Sequence, residues 1–205
     1  MIGIITKLLH HKRGANVPPN LRQKTESRAR ILRAAAGLFR RHGYRGVGID
    51  RIMAAAGLTR GAFYAHFHGK RALFVEVIQG QHGLTRLLAA RAAVDPSGLH
   101  QHARAILADY LDPRHLAEVG RGCSFAALAG DVARAGRPAK RAYASALREL
   151  IGELDRGRHA GKSDTLALLA LSIGAVSMAR ALEDADLAAA LLNAAHAKVA
   201  EMLRG

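Results

Sequence analysis

The sequence has few of the residues that mark disulfide scaffolds, aromatic sites or membrane spans. Its 205 residues include one cysteine, no tryptophan, four tyrosines, five phenylalanines and five prolines. A single cysteine excludes an internal disulfide and suits a reducing compartment. No hydrophobic run is long enough to span a membrane, and the apolar residues 2–9 include Lys7 and lack the features of a signal peptide. We therefore expect a cytoplasmic protein without membrane association.

Patterns for metal binding and catalysis are also missing. The eleven histidines show no HExxH spacing, the single cysteine cannot form a Cys-x-x-Cys motif, and His100 and His102 would point away from each other on a helix. Nothing resembles a phosphate loop or a nucleophile elbow. A basic helical enzyme would need a convergent set of acid, base or metal ligands, which we do not find. We expect no cofactor, no metal and no enzymatic activity.

Acidic residues are scarce only in the first part of the chain. The formal charge is +15, and residues 1–86 hold 16 Lys and Arg against 3 Asp and Glu, whereas residues 87–205 hold 15 against 13. A positive field concentrated on one module favours a polyanionic partner. The alternative is a solvated basic face in an arginine-rich protein. A non-specific architectural DNA binder would share this asymmetry but would not need a large, nearly neutral second part.

The composition predicts an all-α protein. Half of the residues are apolar, Ala and Leu are abundant, and no segment alternates β-branched residues as strands do. Capping residues and glycines predict about ten helices, in segments 21–42, 49–56, 60–67, 70–93, 95–110, 112–119, 123–134, 138–156, 163–182 and 184–203.

The segment from Ile49 to Lys70 reads as two short helices around a tight turn. The first helix has an apolar stripe at helical spacing, formed by Ile49, Ile52 and Met53. Gly57 can take a positive φ at its end, and Thr59 is a good N-cap for the next helix.

The second short helix, Arg60 to about Phe67, divides into two faces. Phe63 and Phe67 lie four residues apart and can pack on the first helix, leaving the other face to Arg60, Gly61, Ala62, Tyr64 and His66. A helix-turn-helix needs this division, because its second helix buries one side and presents polar and small residues to the major groove.

The run from Ile31 to Phe74 resembles the N-terminal domain of TetR/AcrR-type transcriptional regulators. The landmarks are Ile31, Leu32, Leu38, Phe39, Gly43, Tyr44, Ile52, Ala56, Gly57, Gly61, Tyr64, His66, Phe67, Lys70, Leu73 and Phe74. Val47 and Gly48 stand where members commonly have Thr or Ser, and Met53 replaces a usual Ala. The hydroxyls that could contact a phosphate at that end are therefore missing.

The resemblance implies a three-helix helix-turn-helix domain at residues 21–70 and a helical effector-binding and dimerisation domain at 71–205. It implies a homodimeric repressor that binds a palindromic double-stranded DNA operator in the bacterial nucleoid and is released by an unknown small molecule or a thiol-reactive signal. The DNA-binding residues would be Gly48, Thr59, Arg60, Gly61, Ala62, Tyr64, His66 and Lys70. Phosphates and base edges would be contacted by Thr59, Arg60, Gly61 and Ala62. The DNA backbone would be held by Tyr64, His66 and Lys70.

The second domain supplies candidates for two further sites. Its apolar effector candidates are Ile106, Tyr110, Phe125, Leu128 and Met178. Two helices carry apolar stripes that the resemblance assigns to a four-helix dimer interface: Tyr143, Leu147, Leu150, Ile151 and Leu154 on one, and Leu166, Ala170, Ile173, Gly174 and Ser177 on the other. The alternative is that both stripes only fill the core of the subunit.

Two features leave alternatives open. Cys123 lies at a helix start beside Arg121, where a thiol can be reactive and act as a sensor, but it can equally be a small, inert, buried side chain, which we favour. Residues 1–20 can be a basic arm laid along DNA, a disordered terminus, or the product of a start codon placed too early. For these residues we favour disorder.

Overall fold

The computed structural model describes residues 19–80, 99–117, 119–120, 122–155 and 162–203. Within these ranges the chain forms ten helices and no strand, which confirms the predicted all-α fold. None of the helices in this part is long and apolar enough to cross a membrane. The helices are α1 (Pro19–His42), α2 (Ile49–Ala55), α3 (Gly61–Tyr64), α4 (Lys70–Gly80), α5 (Leu99–Tyr110), α6 (Arg114–Ala117), α7 (Ser124–Arg134), α8 (Arg137–Asp155), α9 (Lys162–Ala179) and α10 (Ala185–Met202).

Several helix ends lie where the local sequence placed them. Gly43 (φ 71°) follows α1 and Gly57 (φ 63°) follows α2, both in the left-handed region that favours glycine. The Asp184 carboxylate caps α10 by accepting hydrogen bonds from the backbone N–H groups of Asp186 and Leu187, at 3.0 and 2.9 Å. The N-terminal extension and residues 81–93 of the predicted fourth helix lie outside the described residues.

A first hydrophobic core lies among α1 to α4 and is closed by residues of α7 and α8. Four of the five phenylalanines belong to it. Phe39 and Phe74 meet edge to face with ring centroids 5.3 Å apart, and the Tyr44 ring lies 4.7 Å from that of Phe74. Such aromatic pairs contribute about 0.5–1.5 kcal/mol each beyond their burial. The few aromatic residues therefore fix the part of the chain that carries the helix-turn-helix.

A second core is formed by α5, α8, α9, α10 and the first turn of α7, with Tyr110, Phe125 and Leu150 among its buried residues. Helix α7 belongs to both cores, because Phe125 lies in the second and Leu128 in the first. The first core reaches past residue 70, where the sequence placed a domain boundary, and that boundary stays a prediction.

Polar contacts join the end of α1 to the α7 region. The Arg40 guanidinium donates to the Gly120 carbonyl from Nε (3.0 Å) and Nη2 (2.5 Å), and to Ser124 Oγ from Nη1 (3.2 Å). The backbone N–H of Tyr44 donates to Asp131 Oδ2 at 3.0 Å. The start of α7 is therefore tied to the last turn of α1, and the end of α7 to the turn that follows α1.

Candidate nucleic-acid interface

Helix α3 is held against the first core by two aromatic anchors. Phe63 and Phe67 are buried, with ring centroids 5.7 Å apart, and the Phe67 N–H donates to the Phe63 carbonyl at 3.0 Å. This confirms the predicted packing of the two phenylalanines. The regular helix covers only Gly61–Tyr64 and is shorter than the predicted segment 60–67.

The predicted N-cap role of Thr59 is wrong. Arg60 occupies the N-cap position with helical dihedrals (φ −54°, ψ −38°) and no side chain caps the helix there. The first turn is closed instead by backbone bonds from Ala62 N–H to the Thr59 carbonyl and from Phe63 N–H to the Arg60 carbonyl, both 3.1 Å. A side-chain cap requires an extended residue at the N-cap, and the helical conformation of Arg60 removes that geometry.

The outer face of α3 presents the side chains that the sequence grouped together. Thr59, Arg60, Gly61 and Tyr64 are exposed, and Tyr64 keeps 58% of its surface accessible. A Cβ atom added at Gly61 would meet nothing within 4 Å. The subunit itself therefore does not need glycine at this position. Ala62 and His66 are half-buried at the edges of the same face.

Arg60 is paired with a residue that the sequence analysis did not include in the site. Its Nη1 donates to both carboxylate oxygens of Asp50, at 2.8 and 2.6 Å, which joins the first turns of α2 and α3. Both side chains are about two thirds exposed. Exposed ion pairs contribute about 0–1 kcal/mol, so this pair orients Arg60 without fixing it.

Lys70 has an internal role that the sequence did not show. Its ammonium donates to the carbonyls of Tyr44 and Val47, at 3.0 Å each, and lies 4.4 Å from the centre of the Tyr44 ring. An ammonium has three donors, so two are used to close the turn between α1 and α2. The expected phosphate contact would use the third.

Basic residues of α1 lie beside the C-terminal end of the motif. Burial and the charges of Lys24 and Arg28 lower the pKa of His66 below its ordinary value. The Arg28 guanidinium lies 4.9 Å from the centre of the Phe67 ring and forms an ion pair with Glu76. The first half of α1 therefore places Lys24 and Arg28 near the C-terminal end of the motif, with Arg28 paired to Glu76.

Two glycines of the motif differ in what surrounds them. Gly48 is the N-cap of α2 with extended backbone and no side-chain cap, and a Cβ there would meet nothing within 4 Å. At Gly57 a Cβ would lie 2.6 Å from Arg30 Nη2, which donates to the Gly57 carbonyl at 3.1 Å. Gly57 is thus required by the turn, whereas Gly48 lies on open surface.

Comparison with known proteins identifies the helix-turn-helix. Residues 31–77 match the family model of bacterial regulatory proteins, tetR family. The helix-turn-helix region of this chain is therefore similar to that of tetR-family regulators. It is 39% identical over 87 residues to the HTH-type transcriptional repressor AcnR of Corynebacterium glutamicum, covering 42% of this chain and 43% of that protein. It is 40% identical over 63 residues to the uncharacterised HTH-type regulator YdgC of Bacillus subtilis, covering 31% and 32%. These matches span less than half the length of the curated relatives.

The similarity of fold extends over both cores. The structure of SCO4454, a TetR-family transcriptional regulator from Streptomyces coelicolor, has a TM-score of 0.62, shares 26% sequence identity, and is covered over 95% of its length by 88% of this chain. The reduced form of NemR from E. coli has a TM-score of 0.63 at 21% identity, which shows the fold alone. The tetR-type DNA-binding region is therefore followed by a helical second part with the same general architecture as in these structures.

The structure divides the effector candidates into three groups. Ile106, Tyr110, Cys123 and Phe125 lie together in the second core. Leu128, three residues further along α7, lies in the first core. Met178 was expected inside the second part of the chain, but it is 60% exposed on α9.

Cys123 is a buried thiol at the N-cap of α7. Burial raises its pKa, although backbone N–H groups of the first turn act in the opposite direction. This geometry favours the inert interpretation, since the neutral thiol is a poor nucleophile. Arg121, on which the reactive interpretation depended, lies outside the described residues.

The structure also divides the residues predicted for the dimer interface. Leu150, Ile151 and Leu154 of α8 are buried inside the subunit, so they fill its core and leave α8 a polar outer face. Tyr143 and Ser177 direct their hydroxyls to the carbonyls of Phe125 and Ala126 in α7. The remaining candidates are half-buried or exposed: Leu147 on α8, and Leu166, Ala170, Ile173 and Gly174 on α9.

Proposed function

We propose that this chain is a transcriptional repressor that binds a specific, palindromic operator as a homodimer and releases it when a small molecule binds the second core. The observation that carries the proposal is the helix-turn-helix itself. Its recognition helix is fixed by Phe63 and Phe67, and its outer face presents Arg60 and Tyr64 around a glycine that the fold does not require. AcnR, similar in this region, is a repressor by its name.

The exposed residues of α3 would divide the recognition between them. Arg60 and Thr59 would reach base edges and phosphates, and Gly61 with Ala62 would let the backbone approach the major groove closely. Tyr64, His66 and the third donor of Lys70 would hold the phosphate backbone and set the register. Gly48 would leave room for a phosphate at the start of α2.

Dimerisation would use the exposed apolar side chains of α9 and α10, which we call the α9–α10 face: Leu166, Ala170 and Met178 of α9, and Leu187, Ala190 and Ala194 of α10. Helix α9 has no charged residue between Asp164 and its end at Ala179, although Leu166 is 45% and Met178 60% exposed. Large exposed apolar side chains grouped on two packed helices are typical of a subunit interface. A twofold axis there would match a palindromic operator.

The decisive experiment is fluorescence anisotropy with the DNA upstream of the protein's own gene. We expect binding that resists random competitor DNA and that weakens steeply with salt, because each neutralised phosphate releases counterions. Equal affinity for the upstream and random fragments would instead identify a non-specific architectural binder. A symmetric footprint in the specific complex would support the dimer, and one half-site would argue against it.

A further inference from the structure

Tyr110, Cys123 and Arg180 place polar groups inside the otherwise apolar second core. Tyr110 and Cys123 are buried, at 2% and 1% exposure, at the end of α5 and the start of α7. Arg180 directly follows α9, and its Nη2 donates to the His115 carbonyl at 3.1 Å. The Tyr110 and His115 rings are 5.0 Å apart. We call the side chains of Tyr110, Cys123 and Arg180 the Arg180 cluster.

The cluster contains hydrogen-bond donors without acceptors. Arg180 Nε and Nη1 are inaccessible to solvent and have no hydrogen-bond partner within the described residues, whereas the buried Tyr110 hydroxyl has the Cys123 sulfur as its neighbour. Tyr110 and Cys123 are the neighbours whose charge acts on the Arg180 pKa, and burial lowers that pKa. Arg180 is half-buried and has no anionic partner among the described residues, and a desolvated cation without a counterion favours the binding of an anion.

The start of α7 adds to the positive potential at the same place. The backbone N–H groups of Phe125 and Ala126 are directed at the Cys123 sulfur, which also lies within electrostatic range of Arg180. The N-terminus of a helix carries a partial positive charge. The Arg180 guanidinium, the Tyr110 hydroxyl and the start of α7 are therefore close enough to act on one another's charge, and apolar residues such as Ile106 and Leu107 belong to the same core as Tyr110 and Cys123.

We propose that the Arg180 cluster binds the carboxylate of a small organic acid and that this acid is the effector. The proposal rests on the regulator function proposed above. Arg180 Nε and Nη1 and the Tyr110 hydroxyl would donate to the carboxylate, and the apolar residues of the second core would hold its hydrocarbon part. Cys123 fills space beside the anion and stays a thiol.

Access to the cluster involves His115. Besides packing on Tyr110, His115 lines an open groove of about 360 Å³ with Asp109, Asp112 and Arg114. A shift of the His115 ring would connect the cluster to this groove. The acid would bind the opened arrangement, and only such a difference in affinity between two arrangements can regulate DNA binding.

The cluster is connected to the DNA-binding part through α7. Ser124, next to Cys123, accepts a hydrogen bond from Arg40 at the end of α1. An anion drawn to the first turn of α7 would therefore act on a contact that positions the helix-turn-helix.

The test is a thermal-shift titration of the full chain without DNA. The probes are benzoate, its neutral isostere benzamide, and sulfate, applied at millimolar concentration to the wild type, Arg180→Met and Arg114→Met. We expect benzoate to raise the unfolding midpoint of the wild type and of Arg114→Met, and benzamide to have no effect. Arg180→Met should bind benzoate about tenfold to a hundredfold more weakly, the loss expected for a charged hydrogen bond. Arg114 is the matched control because it is a solvent-exposed arginine of the adjacent groove.

The folding of the variant gives an independent check. Without ligand, Arg180→Met should unfold no earlier than the wild type, because it removes a half-buried charge that has no counterion among the described residues. If it does unfold earlier, Tyr110→Phe decides, since it removes only the hydroxyl and should still weaken benzoate binding about tenfold.

Three results would overturn the proposal: no response to benzoate, an equal response to benzamide, or a benzoate response that survives Arg180→Met. A sulfate response as large as that of benzoate, and equally dependent on Arg180, would identify a site for free anions and exclude the organic acid. Because none of these measurements uses DNA, their failure is distinct from a failure of operator binding in the anisotropy experiment.

Discussion

Replacing Gly61 with alanine should stabilise the folded protein but weaken its binding to DNA. Gly61 is the first residue of α3, it is exposed, and its φ is not in the left-handed region. The added Cβ would have no neighbour within 4 Å, so alanine fits the isolated subunit without strain. No described residue would contact the new methyl group, so we expect it to matter where a bound partner approaches α3.

The two effects of Gly61→Ala have opposite signs. Alanine is favoured over glycine in a helix by up to about 1 kcal/mol, and at this helix start we expect about half of that or more. For a chain of this size 1 kcal/mol raises the unfolding midpoint by about 2–4 °C. Affinity for the operator should fall at least tenfold, which is about 1.4 kcal/mol, because the methyl group prevents close approach of the backbone.

A matched control for Gly61→Ala is Gly152→Ala. Gly152 is an exposed glycine within α8, and a Cβ there also meets nothing within 4 Å. It should give a similar stabilisation with unchanged DNA binding. The measurements are thermal unfolding and anisotropy at several salt concentrations, and the salt slope of Gly61→Ala should stay that of the wild type because no phosphate contact is lost. Wild-type affinity in a stabilised Gly61→Ala would refute the assignment of α3 as the recognition helix.

Four further outcomes are expected. Lys70→Met should lower the free energy of unfolding by about 1–3 kcal/mol, since two carbonyls lose their donor, and should reduce the salt slope of DNA binding by about 0.9. An unchanged slope would leave Lys70 a purely internal contact. Met178→Glu should give monomers in light scattering and lose operator binding, whereas Ser145→Glu, on the polar face of α8, should remain dimeric. Cys123 should react with Ellman's reagent only after unfolding, because it is buried and its pKa is raised; rapid modification of the folded protein would contradict this. Because the folded-state pKa of His66 is lowered from 6.5, the unfolded chain binds the proton first, so stability should fall as the pH drops below 6.5, and His66→Gln should reduce that loss in pH-dependent unfolding.

Helix ends were the part of the fold that the sequence predicted best, because their causes are local. The positive φ of Gly43 and Gly57 follows from the lack of a Cβ, and the Asp184 cap follows from a carboxylate two and three residues before the N–H groups that it accepts from. The local sequence favoured Thr59 as an N-cap just as strongly, but Thr59 does not cap α3. Its neighbour Arg60 is already helical, and the anchoring of Phe63 and Phe67 in the core determines where the short helix lies.

The faces of helices were harder to predict than their ends. Helix α9 is apolar on nearly all sides, so its sequence does not show that Leu168 and Val176 are buried while Leu166 and Met178 are exposed. Helix α8 has one clear stripe, and a stripe shows only that the helix buries one face, not whether it does so inside the subunit or against a partner. The contacts of Arg40 and Arg180 with backbone carbonyls had no sequence signal, because any position on a neighbouring loop can supply a carbonyl.

Helix α7 shows most clearly what a single sequence leaves undetermined. Phe125, Leu128 and Val132 follow one helical stripe, and the sequence analysis named Phe125 and Leu128 together as effector candidates. In the structure Phe125 lies in the second core, whereas Leu128 and Val132 lie in the first. Three residues of helix correspond to a rise of about 4.5 Å, so the two cores are separated along α7 by less than one turn. Because α7 is a continuous helix, a displacement of Phe125 along the helix axis also displaces Leu128. The packing of the helix-turn-helix must then adjust to it.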